Sequence, residues 1–121
     1  MKLPNYEQVH IARAKIVDYL LSATHHSGRG KAGFFTKFGF SPDSWEVLAQ
    51  ALKDHAASND VNRTEPSPFG ARYIIEGELQ TPVGRAAMIR AVWFLDTGEN
   101  VPRFVTAYPL RFKESDDDPG T

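Results

Sequence analysis

The stretch His25-His26-Ser27-Gly28-Arg29-Gly30-Lys31 is the part of the chain best equipped for chemistry. It sets two imidazoles, two basic side chains and two glycines side by side. An imidazole titrates near neutral pH and can carry a proton in either direction. A lysine close by can hold the negative charge that builds on a phosphate in transfer. If a helix begins here, its free N–H groups favour an anion, and Gly28 and Gly30 let a phosphate approach. The order is not that of a nucleotide-binding P-loop, because the glycine spacing differs and Ala32, with no hydroxyl, follows Lys31. Nucleotide hydrolysis is therefore disfavoured. The plainer alternative is a solvated loop, with the Lys31 stem laid over neighbouring phenylalanines.

Adjacent histidines rarely point at one centre, and no acid stands within this stretch. No metal site and no cofactor are expected. His10 and His55 stand alone on ordinary elements and read as structural.

Later in the chain Met88, Arg90, Val92 and Phe94 share one face of a strand-like run. An arginine among apolar neighbours needs a partner. It could grip a phosphate, or it could pair with Glu76 or Glu78 on the next strand. Thr106 and Tyr108 alternate on one face of the last run, and both hydroxyls could reach a phosphate oxygen. Phe69 and Tyr73 could stack a base, although core packing is the commoner job for such residues.

The elements that must position these groups fall into two halves. Ile16, Tyr19 and Leu20 lie at helical spacing and predict a short amphipathic helix over Arg13–Leu21. Gln8–Ala12 fits either a short strand or a helical turn. Ser27 could cap a second helix carrying the stripe Lys31, Phe34, Phe35 and Phe38, with Gly39 as left-handed C-cap and Phe40 folded back. Ser41-Pro42 restarts a third helix whose buried face is Trp45, Leu48, Ala49, Leu52 and Ala56, ending near 57–59. Residues 58–68, rich in Ser, Asn, Asp and Pro, read as a loop.

Beyond the loop the period becomes two. Arg72–Leu79 and Arg85–Leu95 predict strands joined by a turn at Thr81-Pro82-Val83-Gly84. A second turn at 96–100 leads to a third strand, Arg103–Phe112. Helices first and a meander after them predict an α+β fold. About three N-terminal helices should pack on one face of an antiparallel sheet of three to four strands. The expected domain is 1–112, followed by an acidic, disordered tail at 113–121.

The composition sets limits. A chain of 121 residues with 41% hydrophobic and 24% charged residues fits one globular domain. The absence of cysteine excludes disulfides, zinc–thiolate sites, iron–sulfur clusters and a thiol nucleophile. No run approaches a transmembrane length, and the first residues lack the apolar core of a signal peptide, so no membrane partner is expected. The net charge of −1 conceals an asymmetry. Glu114, Asp116, Asp117 and Asp118 are clustered at the end, and without them 14 Lys and Arg face 11 acids, about +3 over residues 1–113. A mildly basic body suits a polyanionic partner without requiring one.

Together these motifs resemble those of a bacterial toxin-associated domain family. Its pattern is met by Leu3-Pro4-Asn5, by Lys15-Ile16-Val17-Asp18-Tyr19-Leu20-Leu21, and by His25, Gly28 and Lys31-Ala32 with Phe35 and Gly39 following. It continues through Gly70-Ala71-Arg72-Tyr73, then Gly84-Arg85 to Arg90 and Trp93, then Pro102, Phe104, Thr106 and Tyr108. The match runs to Pro109.

Members of that family look like toxin modules, and the order of helices and strands is similar to the barnase–EndoU–colicin–RelE group of ribonucleases. The resemblance implies a metal-independent endoribonuclease acting on RNA, tRNA among the candidates, in its own or a target cell's cytoplasm. A cognate antitoxin or immunity protein would hold it in check. His25 would be the general acid or base, Lys31 a transition-state contact, Arg90 the neutraliser of the scissile phosphate, and Thr106 a positioning hydroxyl. His26, Arg29, Arg72 and Tyr108 would be substrate-binding. His26 departs from the family pattern, which more often has proline there, so either imidazole could be the working one. The competing expectation is a non-catalytic binding module of a toxin system, of antitoxin, immunity or adaptor type. A third is an enzyme acting on small phosphorylated molecules.

Overall fold

The computed structural model describes residues 1–22 and 29–110. His25, His26 and the acidic tail lie outside the described residues, as does the Ser27 cap. The chain enters through a 3-10 turn at Tyr6–Gln8, and Val9 and Ala12 then have extended backbone without strand pairing.

The first helix is not uniform. α1 (Arg13–Lys15) runs straight into a π-helical turn at Ile16–Leu20, closed by the Leu21 N–H donating to the Ile16 carbonyl at 2.7 Å. The wider turn buries Ile16 and Leu20 completely and leaves Tyr19, between them, half-buried against the core's edge. Single π turns of this kind recur at functional sites.

α2 (Arg29–Lys37) buries Phe35 and ends on a Schellman motif. Gly39 takes φ +97, its N–H donates to the Thr36 carbonyl, and the Phe40 N–H donates to that of Phe35. The Phe35 and Phe40 rings meet edge to face at 6.1 Å. After Ser41, Pro42 opens a 3-10 turn (Pro42–Ser44) that leads into α3 (Trp45–Ser58). Ser41 makes no side-chain capping bond, so the restart rests on the proline. α3 buries Leu48, Ala49, Leu52, His55 and Ala56, and Trp45 is only half-buried.

The expected loop at 58–68 contains a strand instead. β1 (Arg63–Ser67) pairs antiparallel with β2 (Gly70–Leu79) from Arg63↔Ile74 to Ser67↔Gly70. It is an edge strand of mostly exposed polar residues, where Pro66 is tolerated and local apolar patterning gives no signal. β3 (Ala87–Asp96) and β4 (Arg103–Pro109) complete a meander of order β1-β2-β3-β4. The turn at Thr81–Gly84 closes with the Gly84 N–H on the Thr81 carbonyl, Gly84 at φ +83.

One sheet face, carrying Tyr73, Ile75, Leu79, Ile89, Ala91, Trp93, Phe104 and Ala107, joins the helices in the core. Trp93 and Phe104 meet edge to face at 5.3 Å, a pair worth about 1 kcal/mol beyond its area. The opposite face carries Arg72, Glu76, Arg90, Phe94 and, on β4, Arg103, Thr106 and Tyr108. The fold is α+β, with its helices packed against a four-stranded antiparallel sheet.

Candidate active site

Tyr19 is the centre of the best-formed polar cluster. Its hydroxyl lies 3.0 Å from the Thr106 Oγ1. Because Ile16 and Leu20 are held in the core, Tyr19 reaches Thr106 round the free edge of β4. Two ammonium groups attend its ring: Lys31 Nζ at 5.2 Å from the centroid and Lys15 Nζ at 5.5 Å. Lys15 stands one helical turn before Tyr19 and donates to the Val105 carbonyl at 3.1 Å.

The sheet makes room for this arrangement. Val92 faces Thr106 but Trp93 faces Phe104, so Val105 is an extra residue in β4. A bulge at an edge strand re-aims side chains and frees a carbonyl, here the one that Lys15 takes.

The electrostatics favour a phenol that gives up its proton readily. Burial alone would push Tyr19 up, but hydrogen bonds with Thr106 and Lys31 and the charges of Lys31 and Lys15 outweigh it. The phenol is held below the ordinary tyrosine value of 10.0.

Arg90 has a different environment. Glu76, Arg90 and Tyr108 face one another across β2, β3 and β4. The Arg90 Nε donates to the Glu76 Oε2 at 2.7 Å, and its Nη2 lies 2.5 Å from the same oxygen. The guanidinium sits 5.7 Å from the Tyr108 ring centre. With Pro109 and Leu110 these three line a cleft of about 530 Å³. Of the two partners left open in the sequence, Glu78 is exposed and Glu76 holds the arginine. Arg72 likewise pairs with Glu65 at 3.1 Å and Arg103 with Asp96 at 2.9 Å. Those two exposed pairs add little stability.

Lys31 and Thr106, from separate halves of the chain, thus meet at Tyr19. Arg90 and Tyr108 form the next rung on the same sheet face, two residues or about 7 Å from the Val92–Thr106 rung. Arg72 lies further off, on the rung with Phe94. Arg29 is the first residue of α2, and His25 and His26 lie outside the described residues. The Lys31 ammonium lies over the Tyr19 ring.

Sequence reasoning passed over Tyr19 and Lys15. Tyr19 falls in the stripe with Ile16 and Leu20 and reads as core. The motif Lys15-Ile16-Val17-Asp18-Tyr19 holds both residues and was the available signal.

His55 is structural by its geometry. It is 2% exposed, and its Nε2 lies 3.2 Å from the Gly77 carbonyl. Burial pushes its pKa down, against the raising effect of the Gly77 and Ile89 carbonyls. Among the described residues no three His, Asp or Glu side chains gather as a metal ion would need. No helix among them is long and apolar enough to cross a membrane.

The helices and the four-stranded sheet define one class, a small α+β domain. The chain belongs to the family described as a domain of unknown function, DUF6883, which matches residues 2–111. No curated protein matches it. Among solved structures it is similar to a chain from a contact-dependent growth inhibition toxin–immunity protein complex from Klebsiella pneumoniae 342. The TM-score is 0.67 at 21% identity, over 83% of this chain and 98% of that one. At that identity the likeness is one of fold.

Proposed function

We propose that this chain is a toxin-type ribonuclease domain that cleaves RNA by general acid–base catalysis without a metal ion. The observation that carries the reading is the Tyr19 cluster: a phenol with a depressed pKa, hydrogen-bonded to Thr106 and flanked by Lys31 and Lys15. Metal-free cleavage of RNA needs those parts. A base takes the proton of the 2′-hydroxyl, whose oxygen attacks phosphorus. The bond to the 5′-oxygen breaks, and an acid returns a proton to it, leaving a 2′,3′-cyclic phosphate.

In this assignment His25 is the base and Tyr19 the acid. Lys31 and Lys15 stabilise the charge on the phosphoryl oxygens, and Thr106 orients one of them. Arg90 and Tyr108 contact the substrate one rung away. His26, Arg29 and Arg72 are further contacts along the RNA, with tRNA one candidate. The similarity to a chain from a toxin–immunity complex supports a place in a toxin system, with an antitoxin or immunity protein as partner.

A second reading, a non-catalytic module of such a system, is favoured by one observation. Arg72, Arg90 and Arg103 are each matched by a carboxylate, which leaves that face less cationic than its composition suggests. Induced expression in a bacterial host separates the two. The wild type should arrest growth, and Tyr19→Phe and His25→Ala, expressed to the same level, should not. Equal tolerance of all three would favour the binding module.

A further inference from the structure

Arg72, Phe94 and Arg103 face one another across three strands, because Arg72 pairs with Phe94 and Phe94 with Arg103. Directly opposed residues of an antiparallel sheet share a face, so this rung lies on the same surface as Thr106 and Arg90. The Arg103 guanidinium sits 5.1 Å from the Phe94 ring centre, and Asp96 holds it there through bonds of 2.9 and 3.4 Å. Phe94 is half-buried, its edge against Gly70, where an added Cβ would fall 2.8 Å from the ring.

The residue before Gly70 is Phe69, which is 79% exposed. Its turn is fixed rather than loose. The Phe69 N–H donates to the Ser67 hydroxyl at 3.2 Å, and the Phe69 carbonyl accepts from the Thr97 N–H at 3.0 Å. A large aromatic side chain is thus presented to solvent on ordered backbone, one residue before the glycine that packs on Phe94.

From this rung we infer that Phe94 and Arg103, with the exposed Phe69 of the adjoining β1–β2 turn, form a stacking subsite for an unpaired nucleobase, so that the substrate is single-stranded RNA. The inference rests on the ribonuclease reading and adds its substrate class. Aromatic faces and arginine planes take bases of any identity once these are unstacked from a duplex. The rung lies four residues from the Arg90–Tyr108 rung along β3, about 13 Å, with Thr106 between them. A strand crossing the face would therefore have a guanidinium–aromatic contact on each side of the Tyr19–Thr106 junction. Both exposed arginines of the rung are matched by carboxylates, so the subsite works by stacking and adds little net charge.

The test measures binding apart from cleavage. Tyr19→Phe serves as the parent, and its affinity for a short labelled RNA of mixed sequence is compared with that for the same RNA annealed to its complement. The single strand should bind more tightly. Phe94→Leu and Phe69→Ala in that parent should each weaken it about five-fold to a hundred-fold, the range for losing a base–aromatic stack. The salt dependence should be unchanged because no charge is removed. Phe69→Ala alters a solvent-exposed side chain and keeps the test open if Phe94→Leu fails to fold.

Loss of affinity in either folded variant supports the subsite. Retention by every folded variant, or equal binding of duplex and single strand, overturns it. A wild type that binds single strands through these rings without cutting them keeps the subsite and removes the nuclease. One that cuts RNA while the variants bind like their parent does the reverse.

Discussion

Tyr19 and Thr106, 87 residues apart in the chain, share a hydrogen bond of 3.0 Å across the edge of β4. It ties the π turn, which has no sheet residue of its own, to the end of the meander. Lys15 on the Val105 carbonyl makes a second tie within the same few ångströms of chain. The helical half is thereby fastened to the strand that carries Thr106.

Removing that tie should separate stability from activity. Tyr19→Phe keeps the ring and loses the hydroxyl's partly buried hydrogen bonds with Thr106 and Lys31, a cost of about 1–2 kcal/mol in denaturant unfolding. Cleavage of RNA should fall by far more, about 10²-fold or greater, because the acid is lost. Equal, small losses in both would make Tyr19 a purely structural residue.

The lysines should set the alkaline limb of the pH profile. Tyr19 is held below 10.0 by Lys31 and Lys15 together with its hydrogen bonds. As the acid it must be protonated, so activity should decline as pH rises through its lowered pKa. Lys15→Met removes one cation and should move that decline to higher pH, towards the ordinary value. NMR titration of ring-labelled tyrosine reads the same shift directly. A limb that stays put in Lys15→Met would remove Tyr19 from the proton path.

His55 should make the fold sensitive to acid. Its pKa is pushed below 6.5 in the folded chain, whereas the unfolded chain keeps the ordinary value. Between the two values the unfolded state binds more protons. The contribution of neutral His55 is thus complete above about pH 6.5 and is lost progressively as pH falls towards the depressed folded value. His55→Gln, which can still donate to Gly77, should flatten the fall in Tm as pH drops below about 6.5. An unchanged slope would place the acid sensitivity elsewhere.

Two glycines should respond differently to alanine. Gly70 has φ +146, and a Cβ there would lie 2.1 Å from the Leu95 carbonyl oxygen. Gly98 has φ +88 but open space around it. Gly98→Ala should cost about 1 kcal/mol, the strain of a left-handed alanine. Gly70→Ala should cost about 3 kcal/mol or more, since backbone must move. Similar values from chemical denaturation would contradict the tight packing of the β1–β2 turn on β3.

What the sequence made legible was what local rules decide. The α3 face, the Gly39–Phe40 ending of α2 and the Thr81–Gly84 turn each follow from residues a few positions apart. β1 escaped because Pro66 and its polar, mostly exposed neighbours carry no apolar alternation, and only their register with β2 makes them a strand. Tyr19 escaped because, by spacing, a tyrosine between Ile16 and Leu20 belongs to their stripe. Its ring does pack against that core, and what spacing could not show is the hydroxyl's partner, Thr106, which tertiary contact decides. Arg90 was recognised as needing a partner, and only the register of β2 against β3 chose Glu76 over Glu78.

The most direct test is incubation of the purified protein with cellular RNA in EDTA, followed by analysis of the newly formed ends. The wild type should cut and leave 2′,3′-cyclic phosphates, while Tyr19→Phe and Lys31→Met, folded as judged by thermal unfolding, should leave the RNA intact. Undiminished cutting by both variants, or no cutting by the wild type, would contradict the assignment of the Tyr19–Lys31–Thr106 cluster.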